Sequence, residues 1–307
     1  MSMNIEYKIR GEFDVDIKKG RKVRRVLTAC PNLITNSGMD AFGTSAINSF
    51  MAVLRVGTGN TAPAFTDTAL VSQVASQGGA RVGWSWDTVD THTAVMTQTY
   101  TFATGVAAGS LAELGLSTSG AANLTTRALF LDSGGNPVTV TVLADEQLIV
   151  TYRLYVTPVE TDSVFNITVQ GTPYTLTMRP SNLGVSFPVA SLYNDRRLTV
   201  VSNSDVGTSS AATPYYGASS GIGSVTGQPT GSTTTDAPIP SFASYTAGSH
   251  YRDATLSWGL SAANQSNIGA FLLHGIPFFW QVGVSPRFTK TNVETMSLTV
   301  RTSWARG

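Results

Sequence analysis

Few residues in this chain stand at spacings that chemistry uses. Residues 217–221 read GASSG, the literal pattern of a nucleophile elbow, in which a serine sits on a sharp turn between a buried strand and a helix. Tyr215 and Tyr216 are poor evidence for that strand, and Gly221, Gly223 and Gly227 stand where the helix would begin. A loop rich in Ser and Gly yields the pattern by chance, so no nucleophile is assigned. Asp87, Asp90 and His92 are a possible metal set, but on a strand Asp87 points away from the other two, and both aspartates suit turn capping. VGTGN at 56–60 opens like a phosphate-cradling loop. Position 62 is Ala where the dinucleotide fingerprint has its third glycine, and no lysine follows, so it reads as a tight strand exit. His250 and Asp253 point to opposite strand faces and His274 sits in an apolar run, which makes each structural. Glycan hydrolysis would need two carboxylates about 5–10 Å apart across a cleft, and the 19 acidic residues leave that open. No catalytic, cofactor-binding or metal residues are assigned.

The elements that would position any site are strands. In residues 124–158, Val138, Val140 and Val142 alternate with threonines, and Leu148, Val150, Tyr152, Leu154 and Val156 share one face, the period of a β-strand. Ser133, Gly134, Gly135, Asn136 and Pro137 supply the turn from the apolar run Ala128–Leu131 into the first of these, and Asp145 and Glu146 the turn into the second. An antiparallel meander is predicted here. At the N-terminus Ile5, Tyr7, Ile9, Phe13, Val15 and Ile17 keep one parity, with Gly11 as a candidate bulge. A short helix is expected around Met39, Ala41 and Phe42, capped by Asn36 or Ser37 and ended by Gly43. Thr66 and Asp67 look like a second cap. Residues 84–104 read as one long strand, 111–116 as another, 165–169 with 174–178 as a hairpin, and 198–202 as a further strand. Residues 203–249, with only Asp205 and Asp236 charged, read as a long loop or arm. Strands return with Leu256, Trp258 and Leu260 on one face, then the apolar run 267–284, then a closing strand over 293–304.

The fold class expected is mainly β: antiparallel, sandwich-like units with few short helices. The divisions are 1–83, 84–180, 181–248 and 249–307. A faint repeat recurs in order: Gln98, Tyr100, Phe102 with Leu256, Trp258, Leu260; Leu114, Gly115, Leu116 with Ile268, Gly269, Ala270; Leu148, Val150, Tyr152, Leu154 with Leu298, Val300, Thr302, Trp304. A structural duplication and generic amphipathic strands both produce it.

Charged residues are 13% of 307, about half the usual ~25%, and the net charge is +1. That excludes a globally basic nucleic-acid coat and suits a chain covered by partners. The single Cys30 excludes a disulfide framework and fits a reducing cytoplasm. The N-terminus has no apolar core of a secretory signal, and no apolar stretch is long enough to cross a membrane as a helix. Eight of the 20 Lys and Arg residues fall in the first hairpin: Lys8, Arg10, Lys18, Lys19, Arg21, Lys22, Arg24 and Arg25. They read either as charges that guard an edge against aggregation or as a docking surface for an acidic partner. No aromatic residues interleave with them, which disfavours nucleic acid.

The order LITNSGMDAFG (33–43), LRVGTGNTAPAFTDTAL (54–70), LAELGLS (111–117), TRALFLD (126–132) and LADEQLIV (143–150), with the closing FTKTNVETMSLTVRTSWARG, resembles tail-associated structural proteins of tailed bacteriophages. Residues 181–248 lie outside the resemblance. It implies a non-enzymatic virion component of fibre, baseplate or collar type, assembled in the host cytoplasm, without cofactor. It implies a trimer or hexamer that contacts other tail proteins and the host surface, with no direct nucleic acid and no membrane insertion. The alternatives are a receptor-binding fibre, a capsid decoration protein and a glycan-degrading depolymerase. Candidate interface residues are Lys18, Lys19, Arg21, Lys22, Arg24 and Arg25 of the hairpin, and the aromatics Trp84, Trp86, Tyr215, Tyr216 and Trp304.

Overall fold

One 17-residue strand, β1 (Met3–Lys19), runs through the middle of the molecule. Its inward residues Ile5, Tyr7, Ile9, Phe13, Val15 and Ile17 are each at most 1% exposed, as strict alternation over one buried face requires. The computed structural model describes residues 3–118, 123–185 and 211–307. The first half continues with β2 (Lys22–Pro31), β3 (Leu33–Ile34), helices α1 (Asn36–Thr44) and α2 (Ile47–Phe50), then β4 (Val53–Gly57), β5 (Gln73–Gly78), β6 (Ala80–Trp86) and β7 (Ala94–Thr101). Next come β8 (Gly109–Leu111), β9 (Glu113–Ser117), β10 (Leu124–Leu129), β11 (Val140–Val142) and β12 (Gln147–Pro158). The second half holds β13 (Ser163–Val169), β14 (Thr172–Ser181), β15 (Ala212–Gly221), β16 (Thr230–Thr233), β17 (Ile239–Phe242), β18 (Tyr251–Trp258), β19 (Ile268–His274), β20 (Phe279–Phe288) and β21 (Met296–Arg306). The chain is mainly β, in antiparallel sheets with a single parallel pair among the described strands, β1 with β21.

An eight-stranded sheet has the order β17-β18-β21-β1-β12-β7-β6, with β2 also on β1. Register sets Tyr7 beside Trp304 and Phe13 beside Tyr152, so one face of this sheet is continuous and apolar. Two smaller sheets cover it. The five-stranded sheet, β3-β10-β9-β4-β5, meets it where Phe13 packs on Phe130. The six-stranded sheet, β13-β14-β20-β19-β15-β16, meets it where Tyr7 packs on Trp280 and receives the indole N–H at 2.9 Å. Each fully buried large side chain contributes roughly 1.5–3 kcal/mol, and those of all three sheets form one core.

The pairings repeat. β4·β5, β4·β9, β9·β10, β6·β7 and β7·β12 in the first half correspond to β15·β16, β15·β19, β19·β20, β17·β18 and β18·β21 in the second. All ten are antiparallel. The faint sequence repeat is therefore a duplication of connectivity: two sandwich units flank β1. The residue matching needs one correction. Tyr100 pairs with Val150, but Trp258 pairs with Met296, so the terminal strands correspond four residues out of the alignment read from sequence. The eight-stranded sheet draws strands from all four of the expected divisions.

Several local expectations are corrected. β10, β11 and β12 lie in three different sheets, so 124–158 is not a meander; alternation fixes each strand's face but not its neighbour. Gly11 sits in register opposite Leu154, and the bulges fall between Phe13 and Asp16. Its missing side chain instead admits the Tyr152 hydroxyl, which a Cβ would meet at 2.0 Å. Thr35 caps α1 by accepting the Gly38 N–H, and Gly43 lies inside the helix. No helix follows Thr66. Residues 84–104 are broken at 87–93 because Asp87 and Asp90 accept backbone N–H bonds of a turn. Residues 111–116 are divided between β8 and β9, and Leu260 lies beyond the end of β18. The described part of 203–249 contains β15, β16 and β17 rather than an arm: small residues and tyrosines fit a strand between two neighbours as well as a loop. The predicted strand 198–202 lies outside the described residues. The hairpin at 165–178 forms, with Gln170 and Gly171 both at positive φ in a two-residue turn. The apolar run 267–284 forms β19 and most of β20, two buried strands.

Candidate interaction surfaces

The sites that looked chemical in sequence are structural. Residues 217–221 lie within β15, and no helix follows. The Ser220 hydroxyl is buried and donates to the Asn267 carbonyl at 2.7 Å. The Gly57–Gly59 loop does approach an anion, but the anion is Glu113 of the same chain. Its buried carboxylate accepts N–H bonds from Gly59 (3.1 Å), Val71 (3.2 Å) and Ser72 (2.9 Å), and two from Arg127 (3.1 and 2.9 Å). Ideal Cβ atoms at positions 57 and 59 would lie 2.7 and 2.4 Å from Glu113 Oε1. The glycines thus serve close approach, and the cradle is filled. Asp90 accepts from the His92 N–H (3.2 Å) and the Thr93 hydroxyl (2.6 Å), while His92 Nδ1 lies 2.8 Å from Glu160. Among the described residues no three His, Cys, Asp or Glu side chains cluster as metal ligands. Burial lowers the His274 imidazole to about 4, so it is neutral in the apolar run.

The basic hairpin spends much of its charge on its own sheet. Lys19 pairs with Asp145 at 2.7 Å, Arg24 approaches Glu146 at 4.0 Å, and Arg25 bridges Asp14 (2.8 Å) and Asp16 (2.5 Å). Arg153 joins the cluster through Glu12 and Asp14. Burial would raise the Asp14 carboxyl, but bonds from Arg153, the Ala29 N–H and Arg25 outweigh it and hold the group low. Lys18, Arg21 and Lys22 surround the Gly20 turn at the exposed tip. β2 is therefore a charged edge strand.

The five candidate aromatics separate. Trp304 is a core residue: its parity matches Tyr7, it is 2% exposed, and its indole N–H donates to the Met39 carbonyl of α1 at 2.8 Å. This corrects its reading as an interface residue. Tyr215 is also buried, with its hydroxyl on Gln228. Tyr216, one residue on, is half-buried against the core. Trp84 and Trp86 stand half-buried on β6, at the free edge of the large sheet, with Trp86 stacked on Phe278. These two keep the exposure an interface anchor needs.

A surface the sequence did not disclose lies at the end of the second unit. Between the β13–β14 hairpin and the start of β21 is an open cleft of about 490 Å³, walled by Ile167, Tyr174, Leu176, Val284, Met296 and Leu298. Phe288 meets Tyr174 edge-on at its rim. Lys290, also at the rim, is turned inward to the Gly259 carbonyl (2.9 Å) and Asn264 (2.8 Å), and Glu294 caps Thr291. The alternation of β13 and β21 was legible, but the gap between two sheets has no sequence signal.

No family model matches the chain, nor does any curated protein or solved structure.

Proposed function

We propose that this chain is a non-enzymatic structural subunit of the tail of a tailed-bacteriophage virion, which joins its sheet edges to those of neighbouring subunits. The observation that carries the assembly reading is the chemistry of the edges. β5 (QVASQG) and β16 (TGST) end their sheets among the described strands and hold no charged residue. Natural edge strands are usually guarded by Lys, Pro or bulges. β2, with Lys22, Arg24 and Arg25, is guarded by charge, whereas β5 and β16 carry neither charge nor proline, only the register shifts of the β4–β5 and β15–β16 pairs. The motifs at 33–43, 54–70, 111–117, 126–132 and 143–150 support the virion assignment by their resemblance to tail-associated proteins.

Val74 is 41% exposed on β5, and Ser232 is exposed on β16. The double variant Val74→Lys/Ser232→Lys is expected to shift the protein from a defined oligomer to monomer in sedimentation velocity. Its unfolding free energy should stay within about 0.5 kcal/mol of the parent, as for other exposed sites. An oligomer unchanged by both lysines would refute assembly through these edges.

A further inference from the structure

We infer that the cleft of the second unit receives an extended segment of a different polypeptide, with apolar side chains at alternate positions, in the role that β1 plays in the first unit. This deepens the assembly reading and rests on it, by naming what one surface binds.

The first argument is internal. The duplication places β12 and β21 in equivalent positions. In the first unit, residues 148–152 of β12 pair with residues 13–17 of β1. Phe13, Val15 and Ile17 enter the space between the sheets, and Leu148, Val150 and Tyr152 are fully buried. The 130–146 connection adds β11, whose Val140 and Val142 are also buried. In the second unit, Met296 and Leu298 at the start of β21 are only half-buried and face the open cleft. The 289–295 connection is shorter and carries no strand. One architecture thus occurs with its end filled and with its end open.

The second argument is the lining. The lining is apolar at Ile167, Tyr174, Leu176, Val284, Met296 and Leu298 and uncharged polar at Gln170, Thr172, Thr289, Thr295 and Ser297, and its two charged residues, Lys290 and Glu294, are bonded within the chain. A ligand's charges would find no free counter-charge inside, so its inward face must be uncharged, with apolar side chains against the aliphatic and aromatic part of the lining. The volume falls within the roughly 300–1,000 Å³ of ligand clefts.

The third argument is the adjoining edge. β13 pairs only with β14 among the described strands, and its outer edge offers backbone N–H and C=O groups. Val169, 48% exposed, stands where that edge meets the cleft. An added strand would take its affinity from the main chain and its specificity from alternate side chains in the cleft.

The test uses a fluorescein-labelled peptide of residues 11–19 (GEFDVDIKK), the segment that fills the first unit, titrated against the full chain by anisotropy. We expect saturable binding, weakened at least about tenfold by Val169→Asp and unaffected by Val74→Lys/Ser232→Lys. A scrambled peptide should not bind, and amide exchange should slow in 163–169. Met296→Asp is the second cleft variant if Val169→Asp melts early. Absence of binding up to about 1 mM peptide, or binding insensitive to both cleft variants, would overturn the inference. So would self-association without peptide that Val169→Asp abolishes, which assigns the cleft to a second copy, or saturable binding of oligosaccharides there in place of peptide. Failure of the edge lysines to dissociate the oligomer would instead strike the assembly reading alone.

Discussion

Arg127→Met is expected to destabilise the protein by about 3–5 kcal/mol, the cost of leaving a buried ion without its partner. Arg127 is 2% exposed, and its guanidinium bonds Glu113, Asp67 (2.7 Å) and the Thr61 carbonyl (2.9 Å). Without it, Glu113, at 0% exposure, keeps three backbone N–H bonds but loses its counter-charge. Glu113→Gln added to Arg127→Met should recover part of the loss, because the amide oxygen still accepts and the charge is gone. Chemical unfolding of the two variants measures this, and a loss below about 1 kcal/mol would mean that Glu113 finds compensation elsewhere. The acid limb should change as well. Burial would raise Asp67, but the Ala64 N–H and Arg127 together hold it below its ordinary range. A depressed carboxyl stabilises the fold above its unfolded pKa, and that contribution is lost as pH falls through the folded value. Arg127→Met should flatten this part of the stability profile.

Tyr7→Ala is expected to cost about 3–5 kcal/mol, as for other large-to-small changes in cores. Tyr7 is fully buried on β1, between Trp304 of β21 on one side and Pro158 of β12 on the other. Its ring packs on Phe278 and Trp280, so one side chain contacts strands of both units. Tyr7→Phe should cost less, about 1–3 kcal/mol, since it removes only the acceptor for the Trp280 indole. Because β1 belongs to both units, the parent should unfold in one cooperative step. Two separated transitions in denaturant would contradict the shared-strand account.

How much of this was readable in the sequence depends on the range of the interaction. Alternation placed Ile5 through Ile17 and Leu148 through Val156 on buried faces because period two is a property of one strand. The turn at Gln170 and Gly171 was legible because two adjacent residues encode it. Sheet membership was not: β10, β11 and β12 follow one another and part into three sheets, since pairing is settled by distant strands such as β1, β8 and β9. Over its described part, 211–249, the arm reading failed because low charge with Ser, Thr and Gly describes a loop and a covered strand equally well. Trp304 looked like an anchor because exposure is invisible in sequence; its indole N–H goes to a helix 265 residues away. The aspartates at 87 and 90 were read as turn caps, and their bonds are those of a turn, although the strand they interrupt was expected to be continuous. The Gly57–Gly59 pair was read as a tight strand exit, and nothing in its spacing showed that the glycines make room for the carboxylate of Glu113.

The most direct test of the assembly account is the solution mass of the purified chain by multi-angle light scattering, across protein concentration and salt. The account predicts one defined oligomer, a trimer or hexamer, that persists at high salt because uncharged strand edges hold it. A strict monomer at every concentration would contradict it.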